Sequence, residues 1–213
     1  MGNNKGEEIG NLYVIAAPSG AGKTTLVEAL VDSIPKLTVS ISHTTRPKRP
    51  NEMHGINYYF INNNEFDEMI KHDDFLEHAT IFDHDYGTSK RWVEDTLAKG
   101  IDVILEIDWQ GHQQIKHLFP HSIGIFILPP SLEDLRTRLT KRNQDHPDVI
   151  KKRVADARET VSHIQEFEYV IVNDDFMNAL QDLKMVIEAG RLSAKRQTAK
   201  YAQMIANLET MTS

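Results

Sequence analysis

Along this chain, short unbroken apolar runs alternate with stretches in which apolar positions recur every three or four residues. The runs "NLYVIAA" (11–17), "LTVSIS" (37–42), "IDVILEI" (101–107), "SIGIFIL" (122–128) and "YVIV" (169–172) have strand length. Several are apolar almost throughout, as strands covered on both faces must be. Between them the period is helical. Leu26, Leu30 and Ile34 share one face, with Pro35 just past the end, and Phe176, Leu180, Leu183 and Ile187 share another. "SLED" at 131–134 opens a further helix, the Ser131 hydroxyl and Asp134 serving its first turn. Gly100 stands where a helix ending in "TLAKG" needs a left-handed residue. Strands alternating with helices predict an α/β fold with a parallel sheet flanked by helices.

Two regions break the rhythm. From 41 to 98 a polar, proline-containing loop is followed by strand-like pieces such as "NYYFI" and "FLEHATIF", which reads as an insertion on the core. Residues 131–159 are rich in Arg and Lys. The expected organisation is therefore a polar tail (1–9) and one domain (10–190), followed by a helical tail (191–213). Within the domain, a core of 10–40, 99–130 and 160–190 is interrupted by the insertion at 41–98 and by the segment 131–159. The C-terminal helix has few core-facing positions and is a candidate partner-binding element, through which copies of the chain would associate.

The stretch "VIAAPSGAGKTTLVEAL" carries the first chemistry. It matches the phosphate-loop pattern G-x-x-x-x-G-K-[ST] at all but its first glycine, which is Ala17 here. Small residues let backbone N–H groups of Gly20, Ala21, Gly22, Lys23 and Thr24 converge on a phosphate, and the following helix adds its positive N-terminus. Ala17, Pro18, Ser19 and Thr25 complete the loop. Lys23 supplies a full charge to β- and γ-phosphates, and the Thr24 hydroxyl is a ligand for Mg²⁺. An ordinary strand–turn–helix junction is the competing reading. A phosphate loop alone leaves GTPases, motor ATPases and small-molecule kinases open, and the absence of an N-K-x-D guanine signature lowers the first of these.

Composition narrows the partners. With 213 residues, 40% of them hydrophobic, the chain can bury a substantial core. Its net charge of −7 argues against a general nucleic-acid binder, so anionic ligands need locally placed cations. The chain has no cysteine, which excludes disulfides, thiolate metal sites and a cysteine nucleophile. The start "MGNNKGEEIG" lacks the apolar stretch of a signal peptide, and no apolar window is long enough to span a membrane. A cytoplasmic protein without membrane contact is expected.

Arg46 and Arg49, with hydroxyls at Ser42 and Tyr58, cluster anion donors in "SISHTTRPKRPNEMHGINYYF". Taken with "FLEHATIFDHDYGTS", "ILEIDWQG" and "VNDD", this stretch resembles the guanylate kinase family, and the resemblance runs from about residue 10 to 190. It implies a P-loop fold with a GMP-binding insertion (41–98) and a helical lid (131–159). It also implies Mg-dependent transfer of the γ-phosphoryl of ATP to GMP or dGMP, giving ADP and GDP. By matching positions it puts Ser42, Arg46, Arg49, Tyr58 and Tyr86 around the GMP phosphate, and Glu77 and Thr88 at guanine with Asp108 nearby. The chemistry agrees: guanine presents N1–H and its amino group side by side to a carboxylate, whereas adenine leaves that carboxylate unpaired. Glu106 and Asp108 lie two apart on the expected strand, facing one way, placed to hold Mg²⁺ through water beside Thr24. Arg138, Arg142 and Arg153 belong to the lid over the transferring phosphates, where catalysis asks mainly for alignment and positive charge. The family often sets glycines around the middle arginine, where this chain has Lys141 and Asn143. Asn173 in "VNDD" is the expected contact to ATP. Lys23 and Thr24 argue against a silent scaffold module of the same fold.

Overall fold

The central strands of a parallel sheet are covered on both faces, which is why their runs are apolar at nearly every position. The computed structural model describes residues 9–81, 83–141 and 147–210, with side chains for all of these except 139, 141 and 147–153. The first half of the chain forms β1 (Leu12–Ala16), α1 (Lys23–Ser33), β2 (Leu37–Val39), β3 (His43–Thr44), β4 (Tyr59–Phe60), α2 (Asn63–Lys71), β5 (Phe75–Ile81), β6 (His84–Ser89) and α3 (Lys90–Ala98). The second half forms β7 (Asp102–Leu105), α4 (Trp109–Leu118), β8 (Ile123–Leu128), α5 (Leu132–Lys141), α6 (Pro147–Ser162), β9 (Tyr169–Val172), α7 (Phe176–Arg191), α8 (Ala194–Lys200) and α9 (Ala202–Thr210).

Among the described residues, the main sheet runs β2-β7-β1-β8-β9 with every neighbouring pair parallel. Each expected core strand is present, to within a few residues at its ends. Along β1 the side chains alternate between two cores. Tyr13 and Ile15 join Leu26 and Leu30 of α1 and Leu183 and Ile187 of α7, while Leu12, Val14 and Ala16 join Val93 and Leu97 of α3 and Ile115 of α4. The chain leaves β1 between β7 and β8, where the order of connection reverses. Ligands of such sheets bind in the crevice at that switch point.

The insertion forms a second sheet, β4-β3-β6-β5, in which β6 pairs antiparallel with both β3 and β5. Two of its elements escaped the sequence reading. Helix α2 is short and mostly polar, and only Phe66 is buried, against Phe75 with ring centroids 4.5 Å apart. Its legible signal was a capping box: the Asn62 side chain accepts from the Glu65 N–H, and the Glu65 carboxylate accepts from the Asn62 N–H, both at 2.9 Å. Strand β6, "HDYGTS", carries polar side chains that pair with β5, Asp85 accepting from Thr80 Oγ1 and Thr88 donating to Glu77. Helix α3, assigned to the insertion by position, sends Val93 and Leu97 into the core of the main sheet.

The start of the C-terminal tail is tied to the core. Buried Asp102 at the head of β7 accepts from Arg191 Nε at 2.7 Å, from Arg196 Nη1 at 2.5 Å and from the Asn11 N–H at 2.7 Å. Arg191 also donates to the carbonyl oxygens of Pro35 and Lys36. Beyond it, α9 leaves Met204 and Leu208 exposed. Among the described residues, no helix is long and apolar enough to cross a membrane.

Candidate active site

The turn from β1 into α1 is built for close approach. Gly20 and Gly22 both sit at positive φ (94° and 93°), a conformation that only glycine adopts without strain. A side chain at Gly22 would in addition meet Asn173 Nδ2 at 2.5 Å. The first N–H groups of α1 have no partner within the helix, so the loop ends in an anion-binding terminus. Ala21 differs from expectation: its N–H closes a turn to the Pro18 carbonyl at 3.1 Å.

Asn173, expected on the adenine side of ATP, and Arg138, expected in the lid, both brace this loop. Asn173, nearly fully buried, donates Nδ2 to the Ala21 carbonyl at 2.7 Å. Arg138 on α5 donates to the same carbonyl and to the Asn173 carbonyl, each at 3.2 Å. Arg138 therefore lies against the phosphate loop, and Asn173 supports it from below. Arg142 falls outside the described residues. Arg153 lies on α6, its side chain also outside them.

Lys23 and Thr24, first residues of α1, face the end of β7. Thr24 Oγ1 lies 3.3 Å from Glu106 Oε2, and Lys23 Nζ lies 4.0 Å from the same oxygen. Burial pushes the Lys23 ammonium below the usual lysine value, and Glu106 and Asp108 pull it partly back. The strand ends at Leu105, one residue short of the expected carboxylate pair. Glu106 turns to the phosphate loop, whereas Asp108 caps α4 by accepting from the Gly111 N–H at 3.0 Å. Their different tasks follow from that strand ending, not from strand periodicity. Burial raises Asp108 above the usual carboxylate range, against the Gly111 hydrogen bond and Lys23.

Across the cleft, β5 and β6 pair so that Glu77 stands opposite Thr88. Glu77 is 4% exposed and accepts from Thr88 Oγ1 at 2.6 Å. Burial pushes its pKa up to about 7; the Thr88 bond opposes this, and Asp108 adds to it. Gly111 makes room for that carboxylate, since a Cβ there would lie 2.7 Å from Glu77 Oε2. Gly111 was not singled out from the sequence, although it closes the quoted "DWQG".

The remaining insertion residues form an aromatic and cationic wall. The Arg46 guanidinium lies 5.4 Å from the Tyr58 ring centroid and 5.8 Å from that of Phe60. Tyr58 and Tyr86 meet edge to face at 5.9 Å. The Arg49 side chain is about half exposed. The Ser42 carbonyl accepts from the Tyr59 N–H and sets the entry of this segment. The arrangement thus places one anion-binding loop and one cationic wall on either side of a row of acids.

Known proteins of one family match the chain over most of its length. The guanylate kinase family model matches residues 9–190. A guanylate kinase of Saccharophagus degradans is 53% identical over 199 residues, covering 93% of this chain and 97% of its own. One of Escherichia coli O157:H7 is 52% identical over 201 residues, covering 93% and 97%. A crystal structure of guanylate kinase from Anaplasma phagocytophilum superposes with a TM-score of 0.76 at 31% identity, covering 89% of this chain and 90% of that one. Identical to such relatives at about half of the positions aligned, over 93% of its length, this chain belongs to the guanylate kinase family.

Proposed function

We propose that this chain transfers the γ-phosphoryl group of ATP to GMP or dGMP, giving ADP and GDP or dGDP. The observation that carries the acceptor assignment is Glu77: a carboxylate buried beside Thr88, across the cleft from the phosphate loop. The donor triphosphate lies on the α1 terminus, with Lys23 against its outer phosphates. Arg46, Arg49, Tyr58 and Tyr86 hold the acceptor monophosphate, and Glu77 with Thr88 reads the guanine edge. Phosphoryl transfer needs alignment of acceptor oxygen and γ-phosphorus and positive charge around the transferring group. Lys23 and Arg138 supply charge from the loop side, and Arg142 and Arg153 are assigned to the lid. No covalent enzyme intermediate is required.

Mg²⁺ fits the residues at the end of β7. The Thr24 hydroxyl and Glu106 carboxylate, 3.3 Å apart, are hard oxygen donors beside the phosphate loop, and Asp108 follows two residues on. These are the groups that would hold it, directly or through water, and bound Mg²⁺ would neutralise charge on the donor phosphates.

An ADP-release assay with GMP, dGMP, AMP, CMP and UMP tests the assignment. Turnover of GMP and dGMP is expected, and strong turnover of AMP with none of GMP would overturn it. In the Glu77→Gln variant the preference for GMP over AMP should drop about 100-fold, because the amide offers guanine one acceptor where the carboxylate offers two. An unaltered preference would remove Glu77 from the guanine site.

The same carboxylate makes binding depend on pH. Only ionised Glu77 accepts both guanine donors, and in the free protein it ionises near 7. GMP affinity should therefore be full above neutrality and weaken by up to about tenfold per pH unit below it. Stability should run the other way: unfolding lets Glu77 ionise near its ordinary 4.5, so this group disfavours the folded state as pH rises from there to about 7. Titration calorimetry with GMP from about pH 5.5 to about pH 8.5 measures the binding slope, and a flat profile would contradict it.

A further inference from the structure

Arg46 and Arg49 do not stand in the cleft as two free cations. Glu52 Oε1 accepts from Arg46 Nη2 at 2.7 Å and lies 3.7 Å from Arg49 Nη1. Its other oxygen, Oε2, accepts from the Arg49 backbone N–H at 2.9 Å, and the Glu52 N–H donates to the Arg49 carbonyl at 3.1 Å. One carboxylate thus closes the turn 49–52 upon itself and draws both guanidinium groups to a single point. Burial works against its charge, yet Arg46 and Arg49 hold Glu52 below the usual carboxylate range. The side chains of Arg46 and Glu52 are 11% and 16% exposed, so this pair is sheltered from solvent screening.

A carboxylate in this place has two mutually exclusive uses. It is either a plug, occupying the seat of the acceptor phosphate until displaced, or a bracket that stays while the phosphate binds. The hydrogen bonds favour the bracket. Arg46 gives one donor of Nη2 to Glu52 and one of Nη1 to the Pro47 carbonyl, with its guanidinium set against the Tyr58 and Phe60 rings. Those anchors, together with Tyr86, fix the guanidinium, and of its five N–H groups some remain for a phosphate. Displacing Glu52 would also break its bond to the Arg49 main chain, which no phosphate held by the side chains replaces. Without Glu52, two like charges would separate before the ligand arrived.

We propose that Glu52 is a positioning residue for the acceptor: a fixed counter-ion that sets Arg46 and Arg49 in the geometry that receives the monophosphate, and remains in place during turnover. The inference rests on the reading that these arginines hold the GMP phosphate. Glu52 was not among the residues singled out from the sequence.

Initial-rate kinetics of the full chain, varying GMP and ATP in turn, test it with Glu52→Gln, Glu52→Asp and, as a control, Arg46→Ala. Glu52→Gln keeps an acceptor for the Arg49 N–H but loses the charge, and should raise the KM for GMP about tenfold while kcat stays within about threefold. The KM for ATP should not change. Glu52→Asp restores the charge on a shorter arm and should recover part of the loss. A KM for GMP that is unchanged or lowered in Glu52→Gln identifies a plug or a bystander and overturns the bracket. So does a fall in kcat with both KM values raised, the mark of general loosening. If Arg46→Ala leaves the KM for GMP unaltered, it is the phosphate-wall reading itself that fails.

Discussion

Replacing Lys23 with alanine is expected to lower kcat by about 100- to 1,000-fold, equivalent to about 3–4 kcal/mol of barrier. The ammonium sits where the phosphate loop becomes α1, against Glu106 and in the field of Asp108. Its side chain is only about a fifth exposed, and burial already disfavours its charge. An anionic triphosphate is the partner that would favour that charge, and the transition state places more negative charge near it than the ground state does. The loss should therefore fall on kcat, and the KM for GMP should stay within about threefold, because GMP is held by the insertion. Rates with both substrates varied decide the matter. A loss of less than about tenfold would show that the loop's backbone amides suffice and that Lys23 does not hold the reacting phosphates.

The second large effect concerns stability. Asp102→Ala should destabilise the fold by about 3–5 kcal/mol, the range for taking one partner from a buried ion pair. Asp102 is fully buried and binds Arg191, Arg196 and the Asn11 N–H at once. It thereby ties the end of α7, helix α8 and the chain entering β1 to the head of β7. Removing it takes from two cations the carboxylate they share. In a chain of this size the thermal midpoint should fall by roughly 6–20 °C. Asp102 lies at the start of β7, opposite the end that carries the cleft, so kcat per folded molecule should be unchanged. Thermal melts followed by circular dichroism, together with rates well below the transition, separate the two. A shift of less than about 1 kcal/mol would make the cluster a surface ornament and not a clamp.

The Asp102 cluster also marks a boundary of sequence reading. Arg191 ends the last apolar helix and Arg196 comes after it, and in the sequence both look like solvated charges on a tail. That they close on a carboxylate 89 and 94 positions away depends on how β7 and α7 pack. Glu52 had a nearer signal, three residues after Arg49, but so does every glutamate in a turn. Its importance appears only when both arginines are seen to lean on it. Gly111 likewise matters through a side chain 34 positions back, and no local pattern reports that approach.

What the sequence determined by itself was the layered core and the phosphate loop, because those depend on neighbours. Two-faced burial makes a strand apolar along its length, a helix repeats every few residues, and "SGAGKTT" must turn on small residues. Family resemblance then singled out Glu77, Arg46 and the other cleft residues by position. Only the tertiary structure decided how they meet. Burial gives Glu77 its raised pKa, the end of β7 splits Glu106 from Asp108, and Asn173 and Arg138 converge on one carbonyl. Charge and desolvation act through space, and the chain's linear order does not record distance between segments.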